Sequence, residues 1–526
     1  MAATVAATLA LAGWWLHGSV TAPATHPALA SAPAQPPAAA SAAQPPPLRF
    51  EPFTQTQVDQ FLSQARKVEA INDPLQRCLA YPDPPGSHWN ADAVKAYCHY
   101  RYQPGISFDE ARRLIERGHA AELDRQLADA LHQQLTDPAA RGMLDHIYQN
   151  AFDDGSFDIR PTLDAWKRQS PNSAFAYAAS GMAYARMAAT ARGEKFISDT
   201  PPDAILSMDR LAQEADTDLR HAIALDPRLT PVYASMMDIG RMTLGRDYAL
   251  QAREAGLKIA PADFLLYATA NVMAEPKWGG TPGELEALRR LELSHAAQNP
   301  LLYLNATDVR LREFNFYSCR CDTPPELALM MHTLQDVASF DPLDSAGQSA
   351  DTAQQHTLAA VYYAEVIRFA NRPNDRLSRA FALVPLGYPS WARDEISAVA
   401  PQLPGKGAVY RGLGYADLEL EENTRATGEL EQAVRLDPTD KWSWESLGLI
   451  YGGTGQWDNA WDVADQLIRI EPDAPDGWQL RAQVQMEQPR AGLADTVQAF
   501  AERFGDRPDQ QAALNRMRDA LAHLKH

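Results

Sequence analysis

Cysteine is the residue type best placed to do chemistry in this chain, and there are four. Cys78 and Cys98 bracket a Pro-rich stretch, CLAYPDPPGSHWNADAVKAYC, while Cys319 and Cys321 form a C-x-C. An even count in an exported chain points to disulfides, and four cysteines permit three connectivities. A Cys78–Cys98 bond is favoured, because a loop of that size closes easily and the bond pins an otherwise floppy segment. No C-x-x-C or nearby His pair completes four ligands, which argues against a metal. A bond across the single residue between Cys319 and Cys321 makes a strained small ring. That pair therefore reads as structural or unbonded, with a redox role as the alternative. Other reactive constellations are missing from the sequence: no H-E-x-x-H, no G-x-S-x-G and no G-x-x-x-x-G-K-[ST]. Gly452-Gly453-Thr454-Gly455 reads as a turn between two helices, and Asp153-Asp154 as turn carboxylates serving local hydrogen bonds. We expect no catalytic residue, no cofactor and no metal.

The totals fit that reading. A formal net charge of −19 repels a phosphate backbone, so nucleic acid is not an expected partner. At 526 residues the chain is too long for one compact core. Alanine and leucine dominate and runs of β-branched residues are nearly absent, a composition that points to helices.

The first residues, AATVAATLALAGWWL, carry no charge, and the first basic residue is Arg49. Residues 1–20 suit a membrane anchor or the apolar region of a signal peptide, with Ala28-Leu29-Ala30 before Ser31 as a cleavage site. Both readings expect basic residues ahead of the run, and none is present. Trp14-Trp15 favours an anchor, since indole rings prefer the membrane interface. Residues 21–49 form a Pro/Ala-rich linker with no face to bury. The expected location is the inner membrane with a periplasmic domain, or the periplasm after signal cleavage.

Spacing supplies the fold. Pro404, Pro438 and Pro472 fall 34 residues apart, as do Pro227 and Pro261. Between them KWSWESLGLIYGGTGQWDNAWDVADQLIRIEP carries Trp444, Leu447, Gly448, Tyr451, Ala460 and Pro472. The preceding unit carries Tyr410, Leu413, Gly414, Ala426, Ala433 and Pro438. This pattern resembles the tetratricopeptide repeat family, most clearly over 407–508. The resemblance implies an all-α fold: a right-handed α-solenoid of helix-turn-helix repeats, with an N-terminal helical module and a C-terminal capping helix. The expected divisions are a module at 50–165, a degenerate repeat domain at 166–300, helices of unassigned register at 301–404, repeats at 405–508 and the cap at 509–526. In the module, Thr54-x-x-Gln57 and Ser107-x-x-Glu110 read as capping boxes. Leu123, Leu127 and Leu131 read as one buried stripe, and Leu514, Met517, Leu521 and Leu524 as the apolar face of the cap. Ser339-Phe340-Asp341-Pro342 echoes the Leu-Asp-Pro helix ends found elsewhere. Ala191-Arg192-Gly193 and Pro276-Lys277-Trp278-Gly279-Gly280 resemble signatures of an uncharacterised bacterial family of unknown function, over roughly 110–300.

The repeat resemblance also implies where ligands bind. The first helix of each pair lines the concave face, which here places Arg411, Tyr415, Trp442, Glu445, Leu449, Gln479 and Gln483 in a partner-binding groove. Chaperone-binding members clamp a peptide carboxylate with a Lys/Asn set. Here only Arg411 is basic and Tyr415 stands where Asn would be, so an apolar or mixed segment is the expected ligand. A second candidate lies at the turns of the middle repeats, where Arg192, Lys195, Arg246, Lys277 and Trp278 would gather along one edge as an anion site, its glycines admitting a ligand to the backbone. The bland alternative makes those glycines helix stops, the charges solvated and Trp278 core. The expected function is an exported or membrane-anchored scaffold binding a protein or peptide. The alternatives are an immunity or secretion-accessory protein for a specific effector, and an unrecognised enzyme or cell-wall-binding protein using the middle domain.

Overall fold

The computed structural model describes residues 52–313 and 323–523, apart from 194, 196 and 489. The apolar N-terminal segment, the linker, Cys319, Cys321 and Leu524 lie outside the described residues. Among the described residues there are helices and no strands. No helix among them is long and apolar enough to cross a membrane.

The chain divides into two compact units. The first holds Pro52–Ala353 with Ala364–Ala370, and the second holds Gln354–Tyr363 with the residues from Asn371 onward. In the first unit, helices from Gln55 to Gln169 precede three helix pairs. These are Ala174–Arg192 with Pro202–Leu225, Thr230–Ile239 with Arg246–Ile259, and Phe264–Met273 with Pro282–His295. Helix Leu302–Glu313 follows. Both expected capping boxes form: Thr54 with Gln57, and Ser107 with Glu110. Each satisfies two backbone donors that the first turn of a helix leaves open. Leu123, Leu127 and Leu131 are buried as one stripe. The apolar core runs unbroken from Ala111 to Val309 and crosses residue 165 through Leu163 and Trp166.

The second unit repeats more strictly. Its pairs are Gly407–Glu419 with Asn423–Leu436, Lys441–Gly453 with Trp457–Ile470, and Pro475–Glu487 with Leu493–Phe504. The first helices start at Gly407, Lys441 and Pro475, 34 residues apart. Ahead of them stand Pro373–Leu383 and Pro389–Val399, an earlier pair inside the region of unassigned register. Proline opens three of these helices at a position whose N–H has no helical partner anyway. Gly414 and Gly448 admit close helix contact. A Cβ on Gly414 would lie 2.6 Å from Leu430 Cγ, and one on Gly448 would lie 2.8 Å from Leu480 Cδ2. The closing helix Gln511–His523 buries Leu514 and Met517 against Trp478, Phe500 and Phe504, covering the apolar end that a stack of pairs leaves open.

One expectation is corrected. Ser339-Phe340-Asp341-Pro342 does not end a helix; Ser339 is the N-cap of Phe340–Thr352. Asp-Pro serves either end, because proline is tolerated in a first turn and barred only from a helix interior.

Candidate functional site

Three places test the residues singled out above. The first is the disulfide. Cys78 and Cys98 are bonded, with Cα atoms 5.7 Å apart, joining helix Pro74–Ala80 to helix Ala91–Tyr102. The loop between them is held by more than the bond. Trp89 donates its indole N–H to the Leu334 carbonyl at 3.0 Å, and the His88 amide donates to the Gln335 carbonyl at 2.9 Å. Arg368, almost wholly buried, donates to the Cys78 carbonyl at 3.1 Å and to Asp83 at 2.8 Å, amid the rings of Tyr81, Trp89 and Phe369. Nothing in the local sequence marks Arg368 for this task, since its partners lie far off in the chain.

The second place is the face formed by the first helices of the second unit. Helices Gly407–Glu419, Lys441–Gly453 and Pro475–Glu487 pack side by side, each on the next. Several expected ligand residues turn out to tie one repeat to the following one. Arg411 pairs with Asp440 at 2.9 Å, and Gln479 donates to Gln510 at 2.6 Å. Lys441, in the same row, pairs with Glu471 at 3.0 Å. Tyr415 is partly buried edge-on against Phe381, and Gln483 lies beside Gly452. Two apolar side chains on this face have no such role: Leu449 is 77 % exposed and Trp442 is 48 % exposed. They stand seven residues apart on one helix, two turns along the same stripe. Glu445 lies between them. Partial burial raises its carboxyl above the usual range, and Asp476, Glu471 and Asp440 push the same way. The carboxylates Asp440, Glu445, Glu471 and Asp476 outnumber the cations Arg411 and Lys441, so this strip is apolar and locally acidic.

The third place is the turn edge of the middle repeats. Arg192 ends helix Ala174–Arg192, and Trp278 sits in the single-turn helix Pro276–Trp278. The Arg192 guanidinium carbon lies 5.5 Å from the centre of the Trp278 ring. Arg246 donates to the Trp278 carbonyl at 3.2 Å and to the Met273 carbonyl at 3.1 Å, and it also pairs with Glu284. Arg192, Arg246 and Trp278 are thus brought together. Lys277 pairs with Glu275 at 2.7 Å, and Lys195 is exposed. Gly279 (φ +81°) and Gly280 are required by the turn itself, as a Cβ on Gly280 would strike the Ala274 carbonyl oxygen at 2.0 Å. The edge has one member that sequence reasoning missed. Arg241 lies over the same indole, its guanidinium carbon 4.4 Å from the ring centre. It belongs to a π-helical segment, Gly240–Leu244, that continues helix Thr230–Ile239. Such a widened turn shifts every later side chain round the axis, and no repeat template places it.

The 34-residue helix pairs, the glycine contacts and the covered last repeat define an all-α solenoid of the tetratricopeptide type. No protein-family model matches the chain, and no curated protein does. The likeness of the middle region to an uncharacterised family therefore has no match behind it. Among solved structures the chain is similar to MamA, with 19% identity over 32% of this chain and 93% of that one, TM-score 0.27. It is also similar to YrrB, described as a TPR protein with an unusual peptide-binding site (15% identity, 34% of this chain, 92% of that one, TM-score 0.28). A third is the APC/C hetero-tetramer Cut9-Hcn1 (12% identity, 89% of this chain, 97% of that one, TM-score 0.33).

Proposed function

We propose that the protein is a scaffold that binds a polypeptide segment on the first-helix face of its second unit. The observation that carries this is the pair Leu449 and Trp442, large apolar side chains left exposed on a face whose polar neighbours are mostly engaged with one another. A buried aromatic anchor ringed by polar groups is the usual centre of a protein interface. The acidic surplus around Glu445 favours a segment that offers an apolar side chain together with a basic one. A C-terminal chaperone tail does not fit, because the cation that would clamp its carboxylate, Arg411, is occupied by Asp440.

The scaffold is proposed to act outside the cytoplasm, held at the inner membrane or free in the periplasm. The uncharged apolar terminus, the Pro/Ala-rich linker and the Cys78–Cys98 bond support that location. Replacing Leu449 and Trp442 with serine in the full chain should abolish partner capture while thermal stability stays within about 0.5 kcal/mol, as expected for surface positions. Unchanged capture moves the site elsewhere. A reporter fused after residue 50 that fluoresces only when cytoplasmic should stay dark, and a bright signal rejects the location.

A further inference from the structure

The first unit carries a second cluster that the groove reading does not use. Arg192, Arg241 and Trp278 come from three successive helix pairs and meet at one indole. Two guanidiniums over one ring are attracted by its face and repel each other. Arg241 has a partner, Asp238, at 2.9 Å. Arg192 pairs with no carboxylate among the described residues; its fork reaches only the neighbouring Gly193 carbonyl, at a long 3.4 Å. The Arg192 guanidinium holds its proton less firmly than usual, from partial burial first and the Arg241 charge second. The indole N–H of Trp278 is also unsatisfied: its nitrogen is buried and has no acceptor among the described residues. Neither stacked guanidinium can help, because guanidinium carries donors only.

We propose that Arg192, Arg241 and Trp278 form a binding site for a side-chain carboxylate of an acidic polypeptide segment. The count of groups selects this chemistry. Among the described residues Arg241 is committed to Asp238, Arg246 to Glu284 and Lys277 to Glu275, which leaves the Arg192 fork as the cation over the ring without a carboxylate. A planar monoanion matches a single fork bidentately, and it adds the acceptor that the indole lacks. A phosphate dianion needs a second free cation at the same spot. The frame is fixed in advance: Arg246 holds the Trp278 backbone, and the Gly279–Gly280 turn fixes its approach. Beside Arg192, a Cβ on Gly193 would meet no described atom within 4 Å other than those of its chain neighbours. The chain's net charge of −19 repels anions at a distance, so the site works only at short range, on a segment already brought close. In taking its ligand to be part of a protein, this proposal rests on the scaffold reading, but it uses a different unit and different residues.

The test is titration of the full chain with hexaglutamate, with hexaglutamine as the neutral control and inorganic phosphate as a competitor, read by calorimetry. Wild type should bind hexaglutamate at about 0.15 M ionic strength, where the long-range repulsion is screened, and Arg192→Gln should weaken binding about ten-fold with an unchanged thermal midpoint. Arg192→Lys, which keeps the charge and loses the fork, should fall between them. Trp278→Phe, which keeps the ring and loses the N–H, should weaken binding several-fold. The Leu449→Ser/Trp442→Ser chain should bind hexaglutamate as wild type does, even where it has lost its groove partner. Equal affinity in wild type and Arg192→Gln overturns the site. Equal binding of hexaglutamine, or phosphate competing as well as hexaglutamate binds, overturns the carboxylate assignment.

Discussion

Trp478 donates its indole N–H to the carbonyl oxygen of Pro472, six residues earlier, at 2.9 Å. The same relation recurs between Trp444 and Pro438 at 3.1 Å, Tyr267 and Pro261 at 3.1 Å, and Tyr233 and Pro227 at 3.0 Å. Each proline ends one pair, and each ring opens the next helix by closing the turn between them. The proline–aromatic spacing that marks the repeat in sequence is thus a hydrogen bond as well as a packing contact. Trp478→Phe keeps the ring and removes the donor, and should cost about 1 kcal/mol. Trp444→Phe should cost less, since its bond is exposed and water can replace the donor. Chemical denaturation of both variants checks the order; a larger loss for Trp444→Phe contradicts it.

The two close-approach glycines should differ in the same experiment. At Gly414 an added Cβ meets the branch atom Cγ of Leu430, and at Gly448 it meets the tip of Leu480 and, less closely, a methyl of Val463. Gly414→Ala is expected to lose about 1–3 kcal/mol to overpacking. Gly448→Ala should lose less, with part of the clash offset by the better helix propensity of alanine. Equal stabilisation by both substitutions would show that the pairs are not in close contact there.

The disulfide closes a loop with a sequence separation of 20. Replacing Cys78 and Cys98 together by serine should cost about 2–4 kcal/mol. Mass spectrometry of a non-reduced digest should recover the two peptides joined. Recovery of both as free thiols from cells, with no change in stability on reduction, would count against both the bond and the exported location.

Glu292 gives a pH signature. It is buried and accepts a hydrogen bond from the Asn271 amide at 2.8 Å. Burial pushes its carboxyl up to about 8, although Asn271 acts in the opposite direction. The folded state therefore keeps a proton that the unfolded chain releases near pH 4.3. The stability this provides is complete below that pH and is lost as pH rises to about 8, by up to about 1.4 kcal/mol per pH unit. Glu292→Gln, neutral throughout, should overtake wild type in stability across that window. A difference between the two that does not vary with pH would refute the assignment.

The repeated pairs were legible in sequence because their signals are local and redundant: proline, small residue and aromatic each sit at fixed offsets, and any two fix the register. The same holds for the capping boxes at Thr54 and Ser107. The site residues were less legible, for a physical reason. Arg411 reads as a ligand residue on its own helix, but its role is set by Asp440 in the next repeat, which stacking alone brings near. Arg241 was missed because a π-helical segment turns it toward Trp278. Arg368 was missed because its partners, Cys78 and Asp83, lie almost a whole unit away in sequence.

The groove is tested most directly by placing a photo-crosslinking amino acid at single positions of the full chain in its native cells. Positions 442 and 449 lie on the exposed strip; Asp462 and Arg469, exposed on the second helix of the same pair, serve as controls. The account predicts one discrete protein adduct at both 442 and 449, and none at 462 or 469. Adducts at the controls with none at 442 and 449, or the same adducts at all four, would contradict it.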